Sequence, residues 1–234
     1  MAETIINSNQ IRQSGDTSSQ TLINENQVRQ SGDSSSQTLL NKNQIESGGG
    51  GIPARYTQVD YIQTSRGQYS YIDTGIAVGP NIRTVTEILS NSYYQNESVF
   101  GAKENGDGYY ITTFNNKWYY PATGGEGNGG SYNSSTKYEI DYNVNSIIIN
   151  GTSIATELEP SFSANSNLII ACRFQNNYGN FKYYSFKVYN GNSLVRDMIP
   201  VYDTEGDEYG MYDLVSQSFF GNDGGGTITG GNEQ

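Results

Sequence analysis

At 234 residues, 34% hydrophobic, with 28 glycines and 20 tyrosines, the chain suits antiparallel sheets with many turns and one wetted face, and suits helix bundles badly. A formal charge of −11 argues against nucleic acid as a partner, because phosphate binding needs a surplus of Lys and Arg; its plainer meaning is solubility. No histidine is present, which removes Ser-His-Asp and Cys-His catalysis and the commonest zinc ligand.

The chain opens on a 17-residue repeat: Ile6–Leu22 is followed by Ile23–Leu39, and a third copy starts at Leu40 and ends in Gly48–Gly51. Each copy carries few apolar side chains: Ile6, Ile11, Leu22, Ile23, Val28, Leu39, Leu40 and Ile45. One copy alone cannot bury enough surface to offset the entropy of ordering itself. Three arrangements fit. The repeats form a polar tether, or a shaft in which three chains bring these apolar positions together on a three-fold axis, or an arm laid along a partner's surface. In each case the four glycines are a joint, dividing residues 1–51 from a head at 52–234. No apolar core of a signal peptide and no run of about 18 apolar residues occurs, so neither secretion by a standard signal nor membrane insertion is expected. Synthesis in the cytoplasm follows as an expectation.

The head reads as short strands between Gly/Asn turns, the pattern of an antiparallel β-sandwich or jelly roll. Tyr56 to Asp60 and Tyr69 to Asp73 are the first strands, then Val85 to Leu89, then Ser98 to Ala102. Tyr109–Phe114 and Lys117–Tyr120 predict a hairpin across Asn115-Asn116. Gly124 to Ser135 reads as a long loop with little to pack. Tyr138 to Tyr142 alternates polar and apolar, and Ser146 to Ile149 precedes an Asn150-Gly151 turn. Leu168 to Phe174 is the most continuously apolar run and is expected at the sheet centre, with Cys172, the single cysteine, as a buried thiol. Two runs around Asn190-Gly191-Asn192 predict a second hairpin. Tyr209 to Val215 then turns the chain back toward Phe219, Phe220 and the glycine-rich stretch Gly224–Gly231.

Aromatic pairs are the candidate binding residues. In Tyr93-Tyr94, Tyr109-Tyr110, Trp118-Tyr119-Tyr120 and Tyr183-Tyr184, strand alternation predicts one outward ring per pair. An outward ring offers a flat face to the C–H side of a sugar. Glu139 and Asp141 share a strand face and read as polar outer positions.

Two stretches carry a resemblance. Tyr61–Ile76 (YIQTSRGQYSYIDTGI) and the series LVRDMIPV, GMYDLV, FFGN and GGGTITGG within Ser193–Gly231 resemble the opening and closing signatures of laminin-G-like, concanavalin-like jelly-roll domains. Such domains occur in bacteriophage structural proteins and gut-bacterial surface proteins. The resemblance spans about residues 56–231. It implies a Ca²⁺ candidate in the acidic turn, with Asp203, Glu205, Asp207 and Glu208 as oxygen ligands, and no other cofactor; the spacing matches no defined calcium loop, and solvated turn carboxylates are the plainer reading. Some concanavalin-like sandwiches are glycoside hydrolases with an E-x-D-x-x-E strand; the nearest run here, Glu157-Leu158-Glu159-Pro160, lacks the matching carboxylate, so no enzyme is expected. The function implied is a virion structural protein, a head or tail fibre or capsid decoration. It would be homotrimeric, anchored to a capsid or tail protein through its N-terminus, with the head displayed toward host-surface glycan. The alternative is a cell-surface or secreted carbohydrate-binding module of a gut bacterium.

Overall fold

The computed structural model describes residues 27–28, 40–41 and 52–232, apart from 66, 68, 91–95, 103–107, 123–124, 156–157, 159, 161, 163–165 and 174–176. The chain divides into two compact units, Met1–Pro53 and Ala54–Gln234. In the first, β1 (Gln27–Val28) pairs antiparallel with β2 (Leu40–Asn41), setting Val28 opposite Leu40. These are two of the sparse apolar positions of the repeats. The others, and with them the choice between shaft, arm and tether, lie outside the described residues.

The second unit is all-β, with no α-helix among its described residues. Its strands are β3 (Tyr56–Gln58), β4 (Tyr61–Gln63), β5 (Ile72–Ala77), β6 (Ile82–Ser90), β7 (Glu97–Ala102), β8 (Tyr110–Phe114), β9 (Lys117–Ala122), β10 (Gly125–Ser131), β11 (Lys137–Asn143) and β12 (Ser146–Ile149). There follow β13 (Thr152–Ala155), β14 (Asn167–Ile170), β15 (Cys172–Arg173), β16 (Asn177–Tyr178), β17 (Phe181–Asn190), β18 (Ser193–Asp203), β19 (Glu208–Asp213), β20 (Ser218–Phe220) and β21 (Thr229–Gly231). A smaller sheet runs β10-β9-β8-β7-β14-β5 and a larger one β13-β12-β11-β6-β17-β18-β19-β20, all pairs antiparallel. The inner faces meet in one core. Ile88 of β6, Phe186 and Val188 of β17 and Met198 of β18 lie there with Phe100 of β7 and Leu168 of β14.

Local chemistry explains the elements. β6 alternates buried and half-buried along its whole length, the period-two signature of a strand with one face in the core. The Asn115-Asn116 turn has both residues at positive φ, 48° and 58°, and Asn150-Gly151 repeats this at 48° and 74°. That is the backbone a two-residue hairpin needs, and Asn and Gly tolerate it best. In the β17–β18 hairpin Asn190 pairs with Ser193, so the loop proper is Gly191-Asn192, with Gly191 at φ 59°.

Two expectations are corrected. Residues 125–131 are not loop but strand, paired to β9. Their glycines let the backbone lie against side chains: a Cβ on Gly127 would stand 2.5 Å from the Tyr120 ring, and one on Gly129 2.6 Å from the Ile154 carbonyl. Backbone pairing needs no side chains, so a strand forms where the sequence shows none of the usual signals. The Leu168–Phe174 run, expected at the sheet centre, breaks at Ala171, whose φ is 65°. Its first part, β14, lies beside the edge strand β5. Its continuation, β15, pairs with β16 and packs across β7. Cys172 is buried there as expected, and desolvation pushes its thiol up to about 12.

The larger sheet forks. β18 pairs with β17 from Ser193 to Met198, then leaves it. Its far half, from Met198 to Asp203, pairs with β19 on one side and, from Val201 on, with β3 on the other. β4 takes the vacated edge of β17, and β21 adds to β4.

Candidate functional site

The fork holds a cavity of about 530 Å³, within the range of small-ligand sites, lined by Tyr202, Asp207, Glu208, Tyr209, Asn222, Gly226, Thr227, Ile228 and Thr229. Tyr202 is the next-to-last residue of β18 and Tyr209 the second of β19, directly opposite each other in the ladder. Facing cross-strand residues share one side of a sheet, and these two rings stand 4.9 Å apart at 49°. Both are half-buried. Tyr209 packs against the hydrophobic core, so the pair stands at the core's margin with one side on the cavity.

The walls are fixed from three sides. In the turn between β18 and β19, the Tyr202 hydroxyl donates to the Asp207 carboxylate. That bond holds the Tyr202 hydroxyl above its ordinary pKa, so it stays protonated. Asp207 itself sits at φ 53°, a conformation Asp tolerates better than most residues. On the opposite wall, Asn222 organises the glycine loop. Its carbonyl accepts from the Tyr71 and Gly224 amides at 3.1 and 3.0 Å, and its amide nitrogen donates to the Gly226 carbonyl. Ile228, 2% exposed, pins the start of β21 into the core. Between the walls, β21 passes so close that a Cβ on Gly230 would lie 2.6 Å from the Tyr209 ring and 2.7 Å from the Tyr61 carbonyl. Only glycine lets β21 and the ring share this space.

Behind the turn, Arg55 grips Asp203 with two hydrogen bonds, Nε to Oδ1 at 2.7 Å and an Nη to Oδ2 at 2.6 Å, and pairs with Glu205 at 3.2 Å. The bidentate guanidinium holds the Asp203 carboxyl down at about 2. On the outer face, Phe219 lies over Gly210, where a Cβ would be 2.5 Å from the ring, and stacks on Tyr56 at 5.4 Å.

The acidic turn, a Ca²⁺ candidate only by resemblance, is thereby divided. Asp203 is fully buried and its oxygens accept from Arg55 and the Glu205 amide. Glu205 faces Arg55, and Asp207 turns to Tyr202 and the cavity. Among the described residues, no group of three or more His, Cys, Asp or Glu side chains converges as a metal cage.

Of the expected outward rings, the Tyr109-Tyr110 pair has none, while the other two described groups each keep one half-buried ring. Tyr109 is fully buried, its hydroxyl 3.1 Å from the Thr84 hydroxyl and donating to the Tyr142 carbonyl at 3.1 Å. Tyr110 is 3% exposed, under the Arg173 guanidinium at 3.3 Å, and donates to Glu126 at 2.9 Å. Trp118, 1% exposed, meets Tyr132 and Tyr138 edge-on at 4.9 and 5.0 Å. Tyr120 is buried and reaches the Ile154 carbonyl. Tyr119 is half-buried against the edge of Phe114. Alternation fails at Tyr109-Tyr110 because the outer face there is roofed: β15 and β16 fold over β7, and Arg173 covers Tyr110. Tyr183 is buried and Tyr184 half-buried beneath Lys137, so that pair does alternate. Tyr93 and Tyr94 lie outside the described residues. Asp141 forms a two-bonded pair with Arg83 on the outer face, and Glu139 is exposed.

Sequence reasoning singled out Asp207 for another role and passed over Tyr202 and Tyr209. Their signal was available: tyrosines bracket an acidic turn of a length that puts them face to face.

No protein-family model matches the chain, and no curated protein matches its sequence. Solved structures give distant likenesses. One is a Bacteroides ovatus protein to which carbohydrate binding is provisionally ascribed, at 13% identity and TM-score 0.49, covering 75% of this chain and 61% of that one. Another is Trypanosoma rangeli sialidase in complex with sialic acid, at 13% identity and TM-score 0.43, covering 59% of this chain. A third is a Trypanosoma rangeli sialidase mutant with trans-sialidase activity, at 16% identity and TM-score 0.38, covering 47% of this chain. The matches span only 20% and 27% of these two sialidase chains.

Proposed function

We propose that the second unit is a carbohydrate-binding β-sandwich, with its site at the fork of the larger sheet. The observation that carries this is the facing pair Tyr202 and Tyr209 at the mouth of a 530 Å³ cavity. Aromatic faces take the C–H side of a sugar ring, and convergent oxygens take its hydroxyls. Asp207, Glu208, Thr227 and Thr229 supply the oxygens. The role is binding without turnover, and bound glycans should be recovered uncleaved after incubation. A glycan array probed with the wild-type chain, with Tyr202→Ala and with Tyr209→Ala tests the site. Each substitution should weaken binding at least tenfold, about 1.4 kcal/mol, while cooperative unfolding is kept and, for Tyr202→Ala, unfolding free energy moves by under about 1 kcal/mol. Retention of full binding by both variants would remove the site from this pocket.

The 17-residue repeats of the first unit support a second reading, in which this module is the displayed head of a trimeric virion fibre or decoration. The solution mass of the whole chain, beside a chain beginning at Ile52, tests it. Trimer for the first and monomer for the second is the expected pair of results; monomer for both removes trimerisation by the repeats alone.

A further inference from the structure

Resting on the reading of this cavity as a sugar site, we propose that it accepts neutral or amino-bearing sugars and turns away carboxylated ones. Asp207 and Glu208 border the cavity and both are exposed, while no Lys or Arg is among its lining residues. The cation of this turn, Arg55, is already committed to Asp203 and Glu205. It therefore offers no counter-charge to a ligand carboxylate. A carboxylated sugar seated on Tyr202 and Tyr209 would bring its charge beside two like charges. Each such pair, about 4 Å apart in water, costs roughly fivefold in affinity. An ammonium in the same place gains by a similar factor, and a neutral sugar is unaffected. The chain's overall charge of −11 acts in the same direction on approach.

The turn permits a clean test. Asn tolerates the positive φ of Asp207, and Asp207→Asn keeps an oxygen to accept from Tyr202. The full-length protein, the Asp207→Asn/Glu208→Gln double variant and a Tyr202→Ala/Tyr209→Ala variant are titrated calorimetrically with a glucosamine oligomer, a neutral galactose oligomer and sialyllactose. Titrations at about 20 mM and about 300 mM salt shorten the screening length from roughly 20 Å to roughly 6 Å. At low salt sialyllactose should bind at least tenfold more weakly than the neutral oligomer, with the glucosamine oligomer at least as tight as neutral. The gap should narrow at high salt and close in the double carboxylate variant. Sialyllactose binding as tightly as the neutral sugar, and still dependent on the two tyrosines, overturns the charge selection and leaves the sugar site standing. Affinities unchanged in the tyrosine variant, or no binding by any of the three sugars, overturn the site itself and the selection with it.

Discussion

Two aromatic regions of this sandwich are both built chiefly from tyrosine and end in opposite states. Around β8 and β9, Tyr109, Tyr110, Trp118 and Tyr120 are sealed, each at most 7% exposed. At the fork, Tyr202 and Tyr209 are half-buried at the mouth of a cavity. The difference lies in what covers each sheet. The small sheet has the core on one side and the β15–β16 ribbon on the other. At the turn end of β18 and β19, Tyr209 packs against the margin of the core, and β21 closes on its ring only as a glycine strand. The same ring is therefore a stability element in one place and, on the proposed function, a binding surface in the other. Substitutions should separate the two roles.

The largest effect is expected at Trp118. Trp118→Ala removes a ring packed edge-on against two tyrosines and should cost about 3–5 kcal/mol of unfolding free energy in denaturant titration, against under about 1 kcal/mol for Tyr202→Ala. Comparable losses at both would dissolve the distinction. Next is Gly230→Ala, whose Cβ collides with both the Tyr209 ring and the Tyr61 backbone carbonyl. A displaced β21 should lower stability by about 1–3 kcal/mol and also weaken sugar binding, which a purely structural glycine such as Gly127 should not do when substituted.

The smallest effect is in the pH profile. The Asp203 carboxyl is lowered from 3.8 to about 2, chiefly by its hydrogen bonds with Arg55. Because the folded value lies below the unfolded one, the stability it contributes is fully present above pH 3.8 and is lost as pH falls toward 2. Arg55→Gln should flatten the acid limb of the stability curve between those values, and sugar binding at neutral pH should survive. An unchanged acid limb would mean that the Arg55 pair does not anchor the turn.

Much of the architecture was legible beforehand. The Asn115-Asn116 and Asn150-Gly151 turns, the alternation of β11 and the two long strands around Gly191 are local features, set by backbone preference and period. The β10 strand was not legible, because its glycines pair through backbone alone and pack under a ring, Tyr120, that adjoins them only in the fold. Neither was the break at Ala171, which turns an apolar run into the roof over Tyr110. The site was legible only as an acidic turn. Which of its carboxylates faces a cation and which faces a cavity depends on Arg55, Asn222 and Gly230, all distant in sequence.

The sequence alone determined the all-β class, most strand positions and the buried state of Cys172, since these follow from alternation, turn chemistry and runs of apolar residues. Tertiary structure alone decided which tyrosines meet solvent and where a cavity opens. Exposure belongs to the neighbour that packs above a residue, and here those neighbours are β15, β16 and β21, brought over their sheets by the fold.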